Sequence, residues 1–230
     1  MKTERSLKNM MKSYVITITD LERSVRAANR CIKSGENLLH SEIEIFPAIT
    51  PKDDPEKIFH DKGLHDEYFV DVYSRKLNCM AAFLSHLSLW EMCAKDNQEY
   101  IIFEHDAVVV NEIPYRMNYK KCVSLGAPSY GTFNTPETFG IISLTSKPYF
   151  PGAHAYRLRP SAAKIFVQTA KLAACPTDLF LDVRRFPWLQ EYYPWPVVAK
   201  DNFTTIQLES GCRAKHNWKN GLAYEILNHA

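Results

Sequence analysis

Short β-type runs and longer helical repeats alternate along the first half of this chain. Residues 13–19, Ser-Tyr-Val-Ile-Thr-Ile-Thr, are β-branched and aromatic and predict an opening strand. Asp20 is the expected N-cap of a helix over 21–33, where Leu21, Val25, Ala28 and Ile32 recur at helical spacing. Residues 43–49 predict a second strand. Residues 50–71 are polar, contain Pro51 and Pro55, and predict a long loop with room for one short helix. Residues 77–95 are the strongest helix: Met80, Phe83, Leu84, Leu87, Trp90 and Met92 make an apolar face, with Glu91 and Lys95 spaced i,i+4 outside it. Residues 100–110 read as one buried strand interrupted by an acidic elbow.

Beyond it, residues 121–125 predict a short strand, 129–139 a Gly/Thr/Pro/Asn loop and 141–144 an edge strand. Residues 161–174 predict an amphipathic helix opened by Pro160 and Ser161. Pro-broken aromatic segments fill 186–198, and a polar tail follows. This alternation predicts one α/β domain over residues 13–230, with a mostly parallel, mixed central sheet flanked by helices. Residues 1–12 are polar and basic and predict a flexible N-terminal segment.

Composition narrows the picture a little. The chain is 46% hydrophobic and 23% charged, and 28 basic against 26 acidic residues leave a net charge of +2. That is ordinary for a soluble domain and gives no general pull toward nucleic acid or membranes. No run reaches the roughly 18 apolar residues of a membrane span, and residues 1–12 lack the apolar core of a secretion signal. A soluble, cytoplasmic protein is therefore expected, with peripheral membrane association left open. The six cysteines, at positions 31, 79, 93, 122, 175 and 212, form no C-x-x-C pair. They predict reduced, mostly buried thiols rather than a zinc site or a disulfide framework.

The candidate chemistry lies in residues 101–106, Ile-Ile-Phe-Glu-His-Asp. Ligands of open α/β sheets bind outside the carboxyl ends of strands. Alternate strand positions point the same way, so Glu104 and Asp106 converge on one cation if the backbone stays extended. Two hard carboxylates suit Mg²⁺ or Mn²⁺ shared with substrate phosphates. The other reading is that both residues simply begin a solvated turn.

A family resemblance adds to this. Tyr14-Val15-Ile16-Thr17-Ile18 with Glu22-Arg23-Ser24-Val25-Arg26, Ala82-Phe83-Leu84-Ser85-His86-Leu87-Ser88-Leu89-Trp90, and Ile101-Ile102-Phe103-Glu104-His105-Asp106-Ala107 resemble three successive motifs of glycosyltransferase family 25. The segments beginning Ala155-Tyr156 and Pro176-Thr177-Asp178 resemble two later ones. His105 stands where the family has a middle acid, and Ala81-Ala82 where it has Gly-Cys. The resemblance implies a Rossmann-like GT-A fold, a UDP-sugar donor, a glycan or glycoconjugate acceptor, a divalent metal (Mn²⁺ or Mg²⁺) and inversion at the anomeric carbon.

On that footing Asp106 is the expected metal ligand, and Glu104 a metal or ribose contact. His216 is a candidate third ligand or a surface histidine. Thr17, Ser85, His86 and His105 are expected around the donor. Arg23 and Arg26 either pair with the uracil or diphosphate or sit on a solvated helix face. Asp178 is the candidate general base, with Asp182 its nearby substitute, although an N-cap role suits Asp178 equally. Trp188, Tyr192, Tyr193 and Trp195 either stack on acceptor sugars or close the core, and loop 126–140 is a candidate donor lid.

The leading expectation is transfer of a hexose, galactose or glucose, to a hydroxyl. A non-catalytic nucleotide-sugar or glycan-binding relative is the alternative. A metal-dependent phosphodiesterase comes third, for lack of a second acidic cluster.

Overall fold

The computed structural model describes residues 11–70 and 75–200. Nine strands and five α-helices alternate through them. In chain order they are β1 (Lys12–Thr17), α1 (Glu22–Gly35), β2 (Ile43–Pro47), α2 (Pro55–Asp61), α3 (Lys76–Asp96), β3 (Tyr100–Glu104), β4 (Ala107–Val109), β5 (Cys122–Ser124), β6 (Gly140–Ser143), β7 (Ala155–Leu158), α4 (Pro160–Ala173), α5 (Thr177–Phe180), β8 (Leu189–Tyr193) and β9 (Val197–Ala199). A seven-stranded sheet runs in the order β2-β1-β3-β7-β5-β8-β6. β1 pairs in parallel with β2 and β3, and β5 with β8; β7 and β6 are antiparallel to their neighbours. Five strands therefore share one direction, and the carboxyl ends of β1, β3, β5 and β8 lie along one edge.

Alternation along the strands divides the core in two. Tyr14, Ile16, Ile102, Tyr156 and Leu158 face α3 and α4, against Phe83, Leu87, Trp90 and Phe166. Val15, Ile101, Phe103, Val123 and Ala155 lie on the other side with Ala28 and Cys31 of α1. This is the α/β sandwich the pattern predicts, with helices on both faces. The five described cysteines are all buried, and no described helix is long and apolar enough to cross a membrane.

Several local expectations are corrected. Leu21, not Asp20, occupies the cap of α1, with no side-chain hydrogen bond; Asp20 pairs instead with Lys52. Ser24 organises this turn, its hydroxyl accepting the Ile18 N–H at 2.9 Å. Glu91 is bound by Lys62 Nζ at 2.8 Å rather than by Lys95. Helix α3 is buried well beyond one stripe because it lies between the sheet and α2 and α4. It ends at Asn97, whose φ of 54° suits a left-handed cap.

The segment 100–110 is two strands in two sheets: the chain turns at His105 and Asp106, and β4 pairs with β9. Central strand β7 has no counterpart in the predicted elements. Its four residues include Arg157, which is buried because its guanidinium donates to Glu99 Oε2 at 2.6 and 3.0 Å.

Candidate active site

At the carboxyl ends of β1 and β3 a narrow slot opens between the sheet and the N-terminal half of α3. Its walls are Ile16 and Ile18 from β1 and the residue beyond it, Ala81, Ala82, Ser85 and His86 from α3, and Glu104 and His105 from the end of β3; residues 48–51 roof it. The small side chains at 81 and 82 leave the space that a longer residue would fill. Ser85 supports the roof: its hydroxyl donates to the Ala81 carbonyl at 2.9 Å and accepts the Ile49 N–H at 2.9 Å. Thus Ser85, His86, Glu104 and His105, separated by up to 20 positions in the chain, meet at one opening.

Beneath the slot runs a buried polar chain. Trp90 Nε1 donates to the Tyr156 hydroxyl at 2.8 Å; that hydroxyl lies 2.8 Å from His86 Nδ1, and His86 Nε2 lies 3.2 Å from Glu104 Oε1. An indole N–H only donates, so the Tyr156 oxygen accepts from Trp90 and gives its own hydrogen to Nδ1. His86 is then the neutral Nε2–H tautomer, donating to Glu104. Burial pulls His86 down to about 3, against an opposing pull from Asp178. Burial, and next the negative charge of Asp178, push Glu104 up to about 8. Both groups thus sense Asp178, which α5 places near them. Asp178 accepts the Tyr130 hydroxyl, and its Oδ1 accepts the Leu179 N–H at 2.9 Å.

The remaining predicted residues lie elsewhere. Thr17 is buried and its hydroxyl donates to the Val15 carbonyl at 3.1 Å. Arg23 and Arg26 sit on the exposed face of α1, Arg26 paired with Glu22 at 2.6 Å, and neither lines the slot. Asp182 is buried, and its carboxylate is committed to the Arg184 N–H and guanidinium at 2.8–3.0 Å. Trp188 stacks on Phe166 and Tyr192 packs against the core, each half-buried. Loop 126–140 contributes no residue to the slot. His216 lies outside the described residues.

The extended backbone on which convergence of Glu104 and Asp106 was expected is not kept, because the chain turns at His105 and Asp106. Glu104 engages His86 on the α3 side, whereas the charge of Asp106 acts on Cys31 of α1, across the sheet. The turn at His105 and Asp106 breaks the extended geometry that would align them. Among the described residues no group of three His, Cys, Asp or Glu side chains is arranged to hold a metal ion.

Two residues of this region were not among the predicted site residues. Tyr156 completes the polar chain, and its signal is the pairing of a central-strand tyrosine with the i,i+4 spacing of His86 and Trp90. His154 directly precedes β7, and its carbonyl accepts the Glu104 N–H at 3.0 Å. The His154 ring covers Gly126: a Cβ there would meet Nε2 at 2.5 Å. Neither ring nitrogen makes a hydrogen bond of normal geometry, and burial pulls the group down to about 4.

Residues 10–125 match the family model described as Glycosyltransferase family 25 (LPS biosynthesis protein). The match contains every wall of the slot and stops before Tyr156, Asp178 and Asp182. No curated protein matches the chain.

Proposed function

The chain belongs to glycosyltransferase family 25, and on that premise we propose that it moves a hexose from a UDP-sugar to a hydroxyl of a glycan or glycoconjugate, with inversion. The observation that carries this reading is the slot at the carboxyl ends of β1 and β3, where apolar walls from Ile16, Ile18, Ala81 and Ala82 end in the polar groups of His86, Glu104 and His105. A flat base fits between such walls, and the polar end suits ribose hydroxyls. His86, fixed by Tyr156, orients Glu104 toward the bound donor.

Asp178 is the proposed base. It takes the proton of the acceptor hydroxyl as that oxygen bonds to the anomeric carbon and the bond from that carbon to the diphosphate oxygen breaks. UDP leaves with the electron pair, and Tyr130 holds the Asp178 carboxylate in place. A divalent ion, Mn²⁺ or Mg²⁺, is a separate part of the proposal. Asp106 or Glu104 would hold it only together with donor phosphates or His216, where it would offset the charge of the leaving diphosphate.

The test is calorimetric titration of UDP into the protein, with Mn²⁺ and with excess chelator, repeated for Ala82→Phe, which fills the slot. The expected result is UDP binding that the variant abolishes while remaining folded. Absence of UDP binding under every metal condition, or equal binding by the variant, overturns the donor-site assignment. UDP binding without transfer or hydrolysis of UDP-galactose and UDP-glucose favours a non-catalytic binding protein.

A further inference from the structure

Four aromatic rings gather at the far end of the edge that carries the slot. Phe139 precedes β6, and its ring stacks on Tyr193, with centroids 5.8 Å apart and an interplanar angle of 14°. Tyr193 meets Trp195 edge-on at 4.9 Å, and Trp195 meets Phe133 edge-on at 5.8 Å. Phe139 is 75% exposed and Phe133 39%. Neither belongs to a core cluster, so burial of these rings is not what the cluster accomplishes.

The cluster is rigid. Trp195 Nε1 donates to Glu191 Oε2 at 3.1 Å, and Glu191, fully buried, accepts at Oε1 from the Thr145 N–H, the Thr145 hydroxyl and the Ser146 N–H at 2.7–3.2 Å. A buried carboxylate satisfied by four donors is costly to disturb, so it sets the indole orientation before any ligand arrives. The exposed residues Asn134, Thr135, Glu137 and Thr138, between Phe133 and Phe139 in the chain, carry amide, hydroxyl and carboxylate groups.

Position connects the cluster to the slot. β8 runs parallel to β5 and in the same direction as β3, so Tyr193 at its end lies on the edge where β3 ends at Glu104. Three strand spacings separate β3 from β8, about 14 Å at about 4.8 Å each. Loop 126–140 spans this interval and is tied down along its length. Tyr130 is bonded to Asp178, the Lys147 ammonium to the Tyr130 carbonyl, and the Asn134 N–H to the Ser146 carbonyl. The loop is thus a fixed strap from the proposed base to the aromatic rings.

We propose that the Phe133–Phe139–Tyr193–Trp195 cluster binds a pyranose ring of the acceptor glycan, one or more sugar units away from the hydroxyl presented to Asp178. The proposal rests on the glycosyltransferase reading and extends it to the acceptor. The C–H face of a pyranose lies flat on an aromatic ring while its hydroxyls reach a polar rim, and pre-set rings keep the ordering cost low. The acceptor is accordingly an oligosaccharide, since the interval of about 14 Å between the ends of β3 and β8 exceeds the span of one pyranose ring.

The experiment screens wild-type protein and Phe139→Ala against a printed array of mono- and oligosaccharides, with UDP titrated in parallel. Phe139 is mostly exposed, so its truncation leaves the core intact; Phe139→Trp serves as the conservative rescue. Expected are retention of oligosaccharides but not monosaccharides, about three- to tenfold weaker retention by Phe139→Ala, recovery in Phe139→Trp, and unchanged UDP affinity in all three. Retention unaffected by Phe139→Ala, or UDP binding by a wild-type protein that holds no arrayed oligosaccharide, overturns the acceptor assignment and leaves the donor reading standing. A dimer that Phe139→Ala dissolves shows that the rings cover a second copy instead, and equally overturns it. Failure of UDP to bind at all falls on the donor reading instead.

Discussion

Replacing Tyr156 by Phe removes one oxygen and tests whether the chain from Trp90 to Glu104 is as interdependent as its geometry implies. Trp90 is fully buried and His86 1% exposed, so without the hydroxyl neither Trp90 Nε1 nor His86 Nδ1 has water to turn to. Each buried polar group left unpaired costs about 1–3 kcal/mol. The substitution should therefore destabilise by about 2–5 kcal/mol, with no cavity larger than the missing oxygen to add to it. A domain of this size loses about 2–4 °C of Tm per kcal/mol, so the midpoint should fall by about 4–20 °C.

Paired thermal and urea unfolding would measure the loss, because a fall in midpoint with an unchanged m-value isolates stability from denatured-state effects. In a Trp90→Phe background, one of the two stranded groups is already gone, and the same substitution should cost about 1–3 kcal/mol less. UDP affinity supplies a second readout: if Tyr156 fixes the His86 tautomer that orients Glu104, affinity falls even well below the unfolding midpoint. A loss under about 0.5 kcal/mol, the range of surface substitutions, would refute the network. A large loss with unchanged UDP affinity would reduce it to a core contact.

Asp182→Ala should cost about 1–3 kcal/mol by releasing the Arg184 guanidinium and N–H, yet leave turnover by the folded fraction unchanged; a collapse of kcat at constant stability would instead make Asp182 the base. His154 predicts a specific pH dependence. Its folded pKa of about 4 lies below the usual 6.5 of an unfolded histidine, so its neutral form costs nothing above pH 6.5. Between pH 6.5 and 4 the unfolded chain takes a proton that the folded one refuses, and stability falls by up to about 1.4 kcal/mol per pH unit. Urea unfolding across this window should show a shallower slope for His154→Gln; equal slopes would mean that the ring is protonated in the fold.

The helices and the outer parallel strands were legible because each carries its own period. Residues 13–19 and 77–95 meet the structure within one or two residues of β1 and α3, since the burial that shapes them is written in adjacent positions. Strand β7 was not legible: four residues hold too little periodicity, and Arg157 looks like a surface residue until Glu99 appears opposite it. The turn after Glu104 was not legible for a related reason. Whether Glu104 and Asp106 converge depends on the two backbone residues between β3 and β4, and their turn is set by β4 pairing with β9 about 90 positions later, a partner no local pattern specifies.

Residue types and their order alone determined the alternating α/β plan and the family resemblance, and they singled out Ser85, His86 and Glu104, which line one slot in the fold. Each of these depends on local spacing, or on motifs that keep their sequence. Only the tertiary structure decided that Tyr156 links Trp90 to His86, that the charge of Asp178 acts on both His86 and Glu104, and that Trp188 and Tyr192 pack against the core clusters while Tyr193 and Trp195 join Phe133 and Phe139 outside them. Those outcomes turn on which strand ends share an edge and which face each side chain takes. Strand pairing over long separations sets both.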